Sequence, residues 1–163
     1  MTEPATTVHA SAVLVGARAV LIRGPSGAGK SRLALQLLQA ADSGTLRFAR
    51  LVGDDRVHLR AASSRLLVSP AETLAGLIEV RGLGIRRLPH EPCAVVGLVV
   101  DLAAGDAERL PEKDAQYAVI AGVKFPRLAV AAGQEALPAV LAMLTSVRSE
   151  GAVSAPPAAS LGI

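Results

Sequence analysis

Short apolar runs, each cut off by glycine, proline or charge, set the pattern along the chain. Residues 12–15 and 19–22 are apolar and partly β-branched, with Gly16-Ala17-Arg18 between them. They predict a hairpin, or two strands, leading into Arg23. Residues 24–31 are glycine-rich, and residues 32–41 turn helical: Leu33, Leu37 and Ala41 recur at four-residue spacing and give one face that can pack on a sheet. Asp42-Ser43-Gly44 ends that helix. A further short strand at 49–52 stops at Gly53-Asp54-Asp55, and strand-like pieces follow at 57–59 and 66–68. Pro70 opens a short segment with a helical turn. Residues 78–88 hold two glycines that break any helix, and residues 95–102 are the most hydrophobic strand. Then come a charged loop at 106–114, a stretch at 119–130 interrupted by Gly122 and Pro126, and a final helix at 135–148. No repeat is visible. From Ser149 the composition becomes Ala/Pro/Ser/Gly, so one domain is expected over residues 1–150 and a disordered tail over 151–163. The order strand, loop, helix, strand, then more strands predicts an α/β fold. Its nucleotide-binding core would have a mixed sheet, additional antiparallel strands and flanking helices.

Gly24-Pro25-Ser26-Gly27-Ala28-Gly29-Lys30-Ser31 matches the phosphate-loop (P-loop, Walker A) pattern G-x-x-x-x-G-K-[ST] in full, after an apolar strand and before a helix. The glycines let backbone N–H groups turn inward around phosphate oxygens, and the helix start adds free N–H donors and the positive end of its dipole. Lys30 supplies a mobile positive charge for the outer phosphates, and the Ser31 hydroxyl can ligate Mg²⁺. The other reading is a chance glycine-rich turn. The motif itself implies a nucleoside triphosphate such as ATP, with magnesium, and not which reaction.

Asp54 and Asp55 fall about where a second strand would end beside that loop, the place where α/β sheets put ligands. One carboxylate could hold Mg²⁺ while the other accepts a proton from an attacking hydroxyl; a simple Asp-containing turn is the alternative. Residues 77–85 alternate charged and apolar positions. If the segment is extended, Glu79 and Arg81 share a face where they could meet a metal and a phosphate; a surface strand with a cross-strand ion pair is the other reading.

Composition narrows the classes. Hydrophobic residues make up 51% and charged residues 19% of the 163, which excludes a disordered or highly charged scaffold. Net charge is only +3, and Phe48, Tyr117 and Phe125 are the only aromatic rings, too few for a single-stranded nucleic-acid binder. No apolar run approaches the ~20 residues of a membrane span, and the polar N-terminus lacks a leader pattern. The lone Cys93 cannot pair internally, so a cytoplasmic protein is expected. Cys93 itself is expected to be a small buried apolar residue. His90 and Cys93 alone are too few for zinc, and His58 is expected on a strand surface.

Together these residues resemble the bacterial HPr kinase/phosphorylase family. The phosphate loop is similar to the family's G-x-S-G-x-G-K-S. Val52-Gly53-Asp54-Asp55-Arg56-Val57 is similar to its V-A-D-D-x-V, and residues 78–85 match its [LI]-E-[IV]-R-G-L-G-I. His9 falls where the family carries a histidine. The resemblance is specific over residues 9–85 and dilute to about 148. It covers the family's catalytic domain and not the N-terminal domain of the long members. It implies an ATP- and Mg²⁺-dependent kinase that phosphorylates a serine of HPr, the small phosphocarrier of the sugar phosphotransferase system. It also implies roles. Lys30 would contact phosphates, Ser31 and Glu79 would hold Mg²⁺ with Asp54 beside them, Asp55 would be the base, and His9 would assist it. Arg109 would correspond to a downstream catalytic arginine, an exposed arginine without a role being the other reading.

Long members carry a P-V-R-P-G-R segment linked to phosphorolysis. Here the stretch reads Val130-Ala131-Ala132-Gly133-Gln134-Glu135-Ala136, without either arginine. Fixed positive charge suits inorganic phosphate, so kinase activity without the reverse reaction is expected. Oligomeric state, a homo-oligomer among the options, stays open because the hexamer-building helices of the long members look shortened. Two rivals share the loop: a small-metabolite kinase, and a non-catalytic ATP-binding regulator.

Overall fold

The structure, a computed structural model, describes residues 4–146. The first hairpin forms as its sequence requires. β2 (Ala10–Val15) and β3 (Arg18–Arg23) pair antiparallel from Val15↔Arg18 to Ala10↔Arg23. Gly16 takes φ 60 in the turn and ties it to the Phe48 carbonyl. The polar stretch ahead of them also joins the sheet: β1 (Thr6–Val8) pairs with β5 (Val57–Ala62), a strand too short and too hydrophilic to stand out in the pattern. The helix α1 (Lys30–Asp42) begins two residues earlier than its composition suggests, because Lys30 and Ser31 already belong to its first turn.

The remaining strands are β4 (Ala49–Gly53), β6 (Arg65–Pro70), β9 (Ala94–Leu102), β10 (Tyr117–Ile120) and β11 (Val123–Val130). The pair β7 (Leu77–Val80) and β8 (Gly84–Arg87) forms a separate two-stranded sheet. The large sheet has nine strands, ordered β1-β5-β6-β9-β3-β2-β4, with β11 also on β9 and β10 on β11. β9, the most hydrophobic strand, is central: it runs parallel to both β3 and β11 and antiparallel to the end of β6. Pro126 does not interrupt β11. It stands where that strand leaves β10 and begins pairing with β9, a place where a missing N–H does little harm. The last helix, α2 (Leu137–Thr145), is shorter than the expected 135–148. Arg148 and the expected tail lie outside the described residues.

Two cores form, one on each face of the central strands. Alternate residues Val20, Ile22, Leu98, Val100 and Leu102 pack under Leu33 and Leu37 of α1 and Val140 and Leu144 of α2. On the other face, Ala10, Ala12 and Ala19 are small enough to let Val57, Leu59, Leu66, Val68 and Phe125 close over Leu21 and Val99.

Strand directions then fix where chemistry can gather. β2 is antiparallel to β3 and to β4, while β3, β9 and β11 are mutually parallel along the sheet. The carboxyl ends of β3, β4, β9 and β11 therefore share one edge, and β2 starts there. Leu37 is fully buried between α1 and the sheet. Leu37→Ala is expected to cost about 2–5 kcal/mol in urea unfolding, and the exposed Gln39→Ala less than about 0.5; similar losses for the two would contradict this packing.

Candidate functional site

The glycine loop leaves β3 at that shared edge. Gly24 passes so close to β9 that a Cβ there would lie 2.9 Å from the Leu102 carbonyl oxygen. Gly29 caps α1 in the left-handed conformation, φ 99, and among the described residues no side chain caps the helix's first N–H groups. Lys30 is 7% exposed, and its ammonium donates to the Gly24 and Pro25 carbonyls at 2.8 and 3.0 Å. The loop thus holds its own cation over its mouth, beside free amide donors suited to an anion. On one side it lines a cavity of about 650 Å³, shared with Arg32 and Gln36 of α1 and with residues 130–136.

On the other side stands the acidic pair at the end of β4. Asp54 is 4% exposed. It accepts from Ser11 Oγ at 2.6 Å, from Ser31 Oγ at 2.8 Å to both oxygens, and from the Glu79 N–H at 3.3 Å. Among the described residues it makes no ion pair. Asp55 turns the opposite way and is exposed; its Oδ1 lies 2.8 Å from His9 Nε2. Its φ of 67 is unusual for a side-chain-bearing residue, and the Arg56 N–H bonds to the Asp54 carbonyl at 2.8 Å around it. Two adjacent carboxylates thereby face different surroundings, one dry and hydroxyl-bound, one wet and histidine-bound.

Ser31, Asp54 and the Glu79 backbone therefore meet in one cluster, with the Asp55–His9 pair next to it in sequence and Lys30 turned to the glycine-loop carbonyls. The Glu79 carboxylate is exposed at the end of β7. Arg81 does not share its strand face, because β7 ends at Val80 and the Leu83 N–H closes the turn onto the Val80 carbonyl. Arg109 is exposed on the loop after β9 and bonds to none of these groups among the described residues. Cys93 is exposed and not buried, since it sits in the connector before β9, off any packed face. His58 lies on β5, its Nδ1 2.9 Å from Thr7 Oγ1.

The donor set suits a magnesium ion. The Ser31 hydroxyl and the Asp54 and Glu79 carboxylates are all hard oxygens. A buried carboxylate without a cationic partner is the electrostatic need such an ion meets. Mg²⁺ also takes few protein ligands, and completes its shell with water and phosphate.

Two groups of residues escape a sequence reading. Ser11 is fully buried on β2 and holds Asp54 from 43 positions away; a lone hydroxyl inside an apolar strand was its one signal. The other is a charge cluster at the ends of β3 and β9 and the middle of β11, in which Asp101 lies between Arg23 and Arg127 and Arg127 also grips Asp106. Burial alone would raise the Asp101 pKa, but the bonds and charges of both arginines outweigh it and hold it below 3.8. The bond from Arg127 holds Asp106 low as well.

A family model for the HPr serine kinase C-terminal domain matches residues 2–91, more than half of the chain. The chain belongs to this family. It is 35% identical over 141 residues to an HPr kinase/phosphorylase of Geobacillus thermodenitrificans, and 37% identical over 139 to one of Caldicellulosiruptor bescii. Each alignment takes in 78% of this chain and 42% of the relative, so the chain spans well under half the length of these curated relatives. Among solved structures, the HPr(Ser) kinase/phosphatase of Coxiella burnetii superposes with a TM-score of 0.62 at 26% identity, over 77% of this chain and 85% of that one. The mixed α/β architecture is thus the family's, and the Gly24–Ser31 loop, the acidic pair and Glu79 all lie inside the matched segment.

A carboxyl with a lowered folded-state pKa contributes stability that is fully present above its unfolded value and lost as pH falls through the folded one. For Asp106 that window lies below 3.8. The melting-temperature difference between wild type and Asp106→Asn should stay constant from neutral pH to about 4.5 and shrink below 3.8. A difference that persists unchanged to pH ~2 would contradict the Arg127–Asp106 bond.

Proposed function

We propose that this chain is an ATP- and Mg²⁺-dependent serine protein kinase whose substrate is an HPr-type phosphocarrier, working in the cytoplasm. The observation that carries the reading is the split acidic pair at the mouth of the glycine loop: Asp54 bound to Ser31, and Asp55 free of that cluster and bound to His9. The family relationship supplies the substrate class, since the relatives are named for HPr.

The nucleoside end of ATP fits the cavity on the Arg32 side, and its phosphates fit the loop amides. Lys30 would exchange the Gly24 and Pro25 carbonyls for phosphate oxygens, a move its flexible stem permits. Bound Mg²⁺, held by Ser31, Asp54 and Glu79, would neutralise charge on the β- and γ-phosphates. Asp55 accepts the proton of the incoming serine hydroxyl as the new Oγ–P bond forms and the bond to the β-phosphate oxygen breaks, releasing ADP. His9 fixes the Asp55 carboxylate with one oxygen left for that proton. Residues 130–136 border the cavity without an arginine, which favours the forward direction over phosphorolysis. No helix among the described residues is long and apolar enough to cross a membrane.

Incubation with labelled ATP, Mg²⁺ and a purified HPr-type carrier tests the reading. Label on a carrier serine supports it. Label on a small molecule would point to a metabolite kinase, and binding without transfer to a regulator. Asp55→Asn should lower kcat by about 10²–10⁴ and leave ADP affinity within a factor of about two; full activity in that variant would remove Asp55 from the mechanism. Lys30→Ala should weaken nucleotide binding at least tenfold, on the order of 1.4 kcal/mol, in a titration with fluorescent ATP. Unaltered affinity would contradict the loop assignment.

A further inference from the structure

Arg127 carries a contact set that a surface strand has no need of. Its Nε donates to Asp101 Oδ2 at 2.5 Å, and its Nη1 and Nη2 fork the two oxygens of Asp106 at 2.8 and 2.9 Å. Nη1 also donates to the Ala115 carbonyl at 3.0 Å. The side chain is 13% exposed, although Asp106 beside it is 54% exposed. Asp106 and Ala115 stand at the two ends of one loop, residues 103–116, so a single guanidinium closes it. Within it, Gln116 Nε2 donates to the Pro111 carbonyl at 2.8 Å and the Ala104 N–H to the Val130 carbonyl at 3.0 Å.

The loop's position gives the clamp a purpose. It springs from Leu102, the residue against which Gly24 is pressed, and Ala103 lines the same cavity as the glycine loop. Asp101, gripped by Arg127 on one side, is gripped on the other by Arg23, whose Nε and Nη2 reach it at 2.7 and 2.9 Å. Arg23 is the last residue of β3 before Gly24. The same network thus fixes the strand that feeds the glycine loop and the loop that rises beside it. Between the two clamped ends, Arg109 and Lys113 are exposed cations with nothing anionic bound to them among the described residues.

We propose that Arg127 is a positioning residue: it pins both ends of the 103–116 loop against the sheet edge and so presents Arg109 to the phosphates of bound nucleotide. The presented ligand rests on the kinase reading above; the clamp itself does not. Only a planar fork can hold Asp106 through two bonds while also reaching Asp101 and Ala115, so lysine cannot replace it. Without it, residues 107–114 are left with few buried contacts, and a segment of that kind opens readily. A misplaced charge then costs transfer without costing binding.

Trypsin cleavage at the Arg109–Leu110 bond, read by mass spectrometry, tests the clamp in the full chain. Cleavage should run about tenfold faster in Arg127→Lys and in Asp106→Asn than in wild type. Asp106→Asn alters an exposed partner and keeps the variant set informative if Arg127→Lys folds poorly. A non-hydrolysable ATP analogue with Mg²⁺ should protect the bond in wild type and not in either variant. Transfer kcat should drop about tenfold in both variants while nucleotide Kd holds. Equal cleavage rates in all three chains would overturn the clamp. Faster cleavage with wild-type kcat and intact protection by nucleotide would reduce Arg127 to a strut and overturn the positioning role. A wild-type chain protected by nucleotide that phosphorylates no seryl protein would overturn the kinase reading and support the clamp.

Discussion

A buried carboxylate with no counter-ion among the described residues organises this molecule. Removing Asp54 from water costs several kcal/mol unless its oxygens are well bonded. Three elements supply the bonds: Ser11 from β2, Ser31 from α1 and the Glu79 N–H from β7. Each hydrogen bond to a charged group offsets about 1.5–3 kcal/mol, so the three together are of the size required. Meeting that requirement forces α1 to start close to the end of β4, and brings the small β7–β8 sheet against the same edge. Any other docking of those elements would strand the charge.

The two faces of the sheet divide the work. The helices cover one face, and Ser11, Ser31 and Asp54 lie toward it at the edge. On β3, β9 and β11, the Arg23–Asp101–Arg127 contacts fall on the register that also carries Leu21, Val99 and Phe125, the face the helices do not cover. The glycine loop connects the two systems, since Arg23 precedes it and Ser31 ends it. A change in loop conformation is therefore resisted from both sides, by hydroxyl–carboxylate bonds on one and by ion pairs on the other. Such doubly fixed backbone is what positioning of a reactive phosphate demands.

Much of this was legible because it is local. The glycine loop, the hairpin before it, the four-residue repeat of α1 and the aspartates after β4 are all adjacent or periodic positions, and local propensity and packing agree there. Legibility failed where long-range register decides. Ser11 and Asp54 become partners only through the β2–β4 pairing, and Arg127 meets Asp101 only through the parallel β9–β11 ladder. Pro126 read as a break because a proline's effect depends on which neighbour its missing N–H faces, a fact of topology. Cys93 read as buried from residue type alone, and a connector gave it nothing to pack against. Arg81 read as sharing a face with Glu79 on the assumption of a continuous strand, which the turn at Val80 ends.

Asp55 shows where the fold tolerates strain. A positive φ at a residue with a side chain costs on the order of 1 kcal/mol or more, and a three-residue turn around such a centre is rare. The one bond its side chain makes among the described residues, to His9, joins two groups that are 49% and 58% exposed. Pairs so exposed add about 0–1 kcal/mol, too little to account for the conformation. The strain must be held by Asp54 next door, whose bonds fix one end of the turn, and by Gly53, which packs so tightly that a Cβ there would lie 2.7 Å from Val57 Cγ1. A structural role would have been served better by glycine at 55, which takes this φ without penalty. What glycine lacks is a carboxylate, exposed beside the loop and steadied by an imidazole, and that is the feature the proposed proton abstraction from a serine would require.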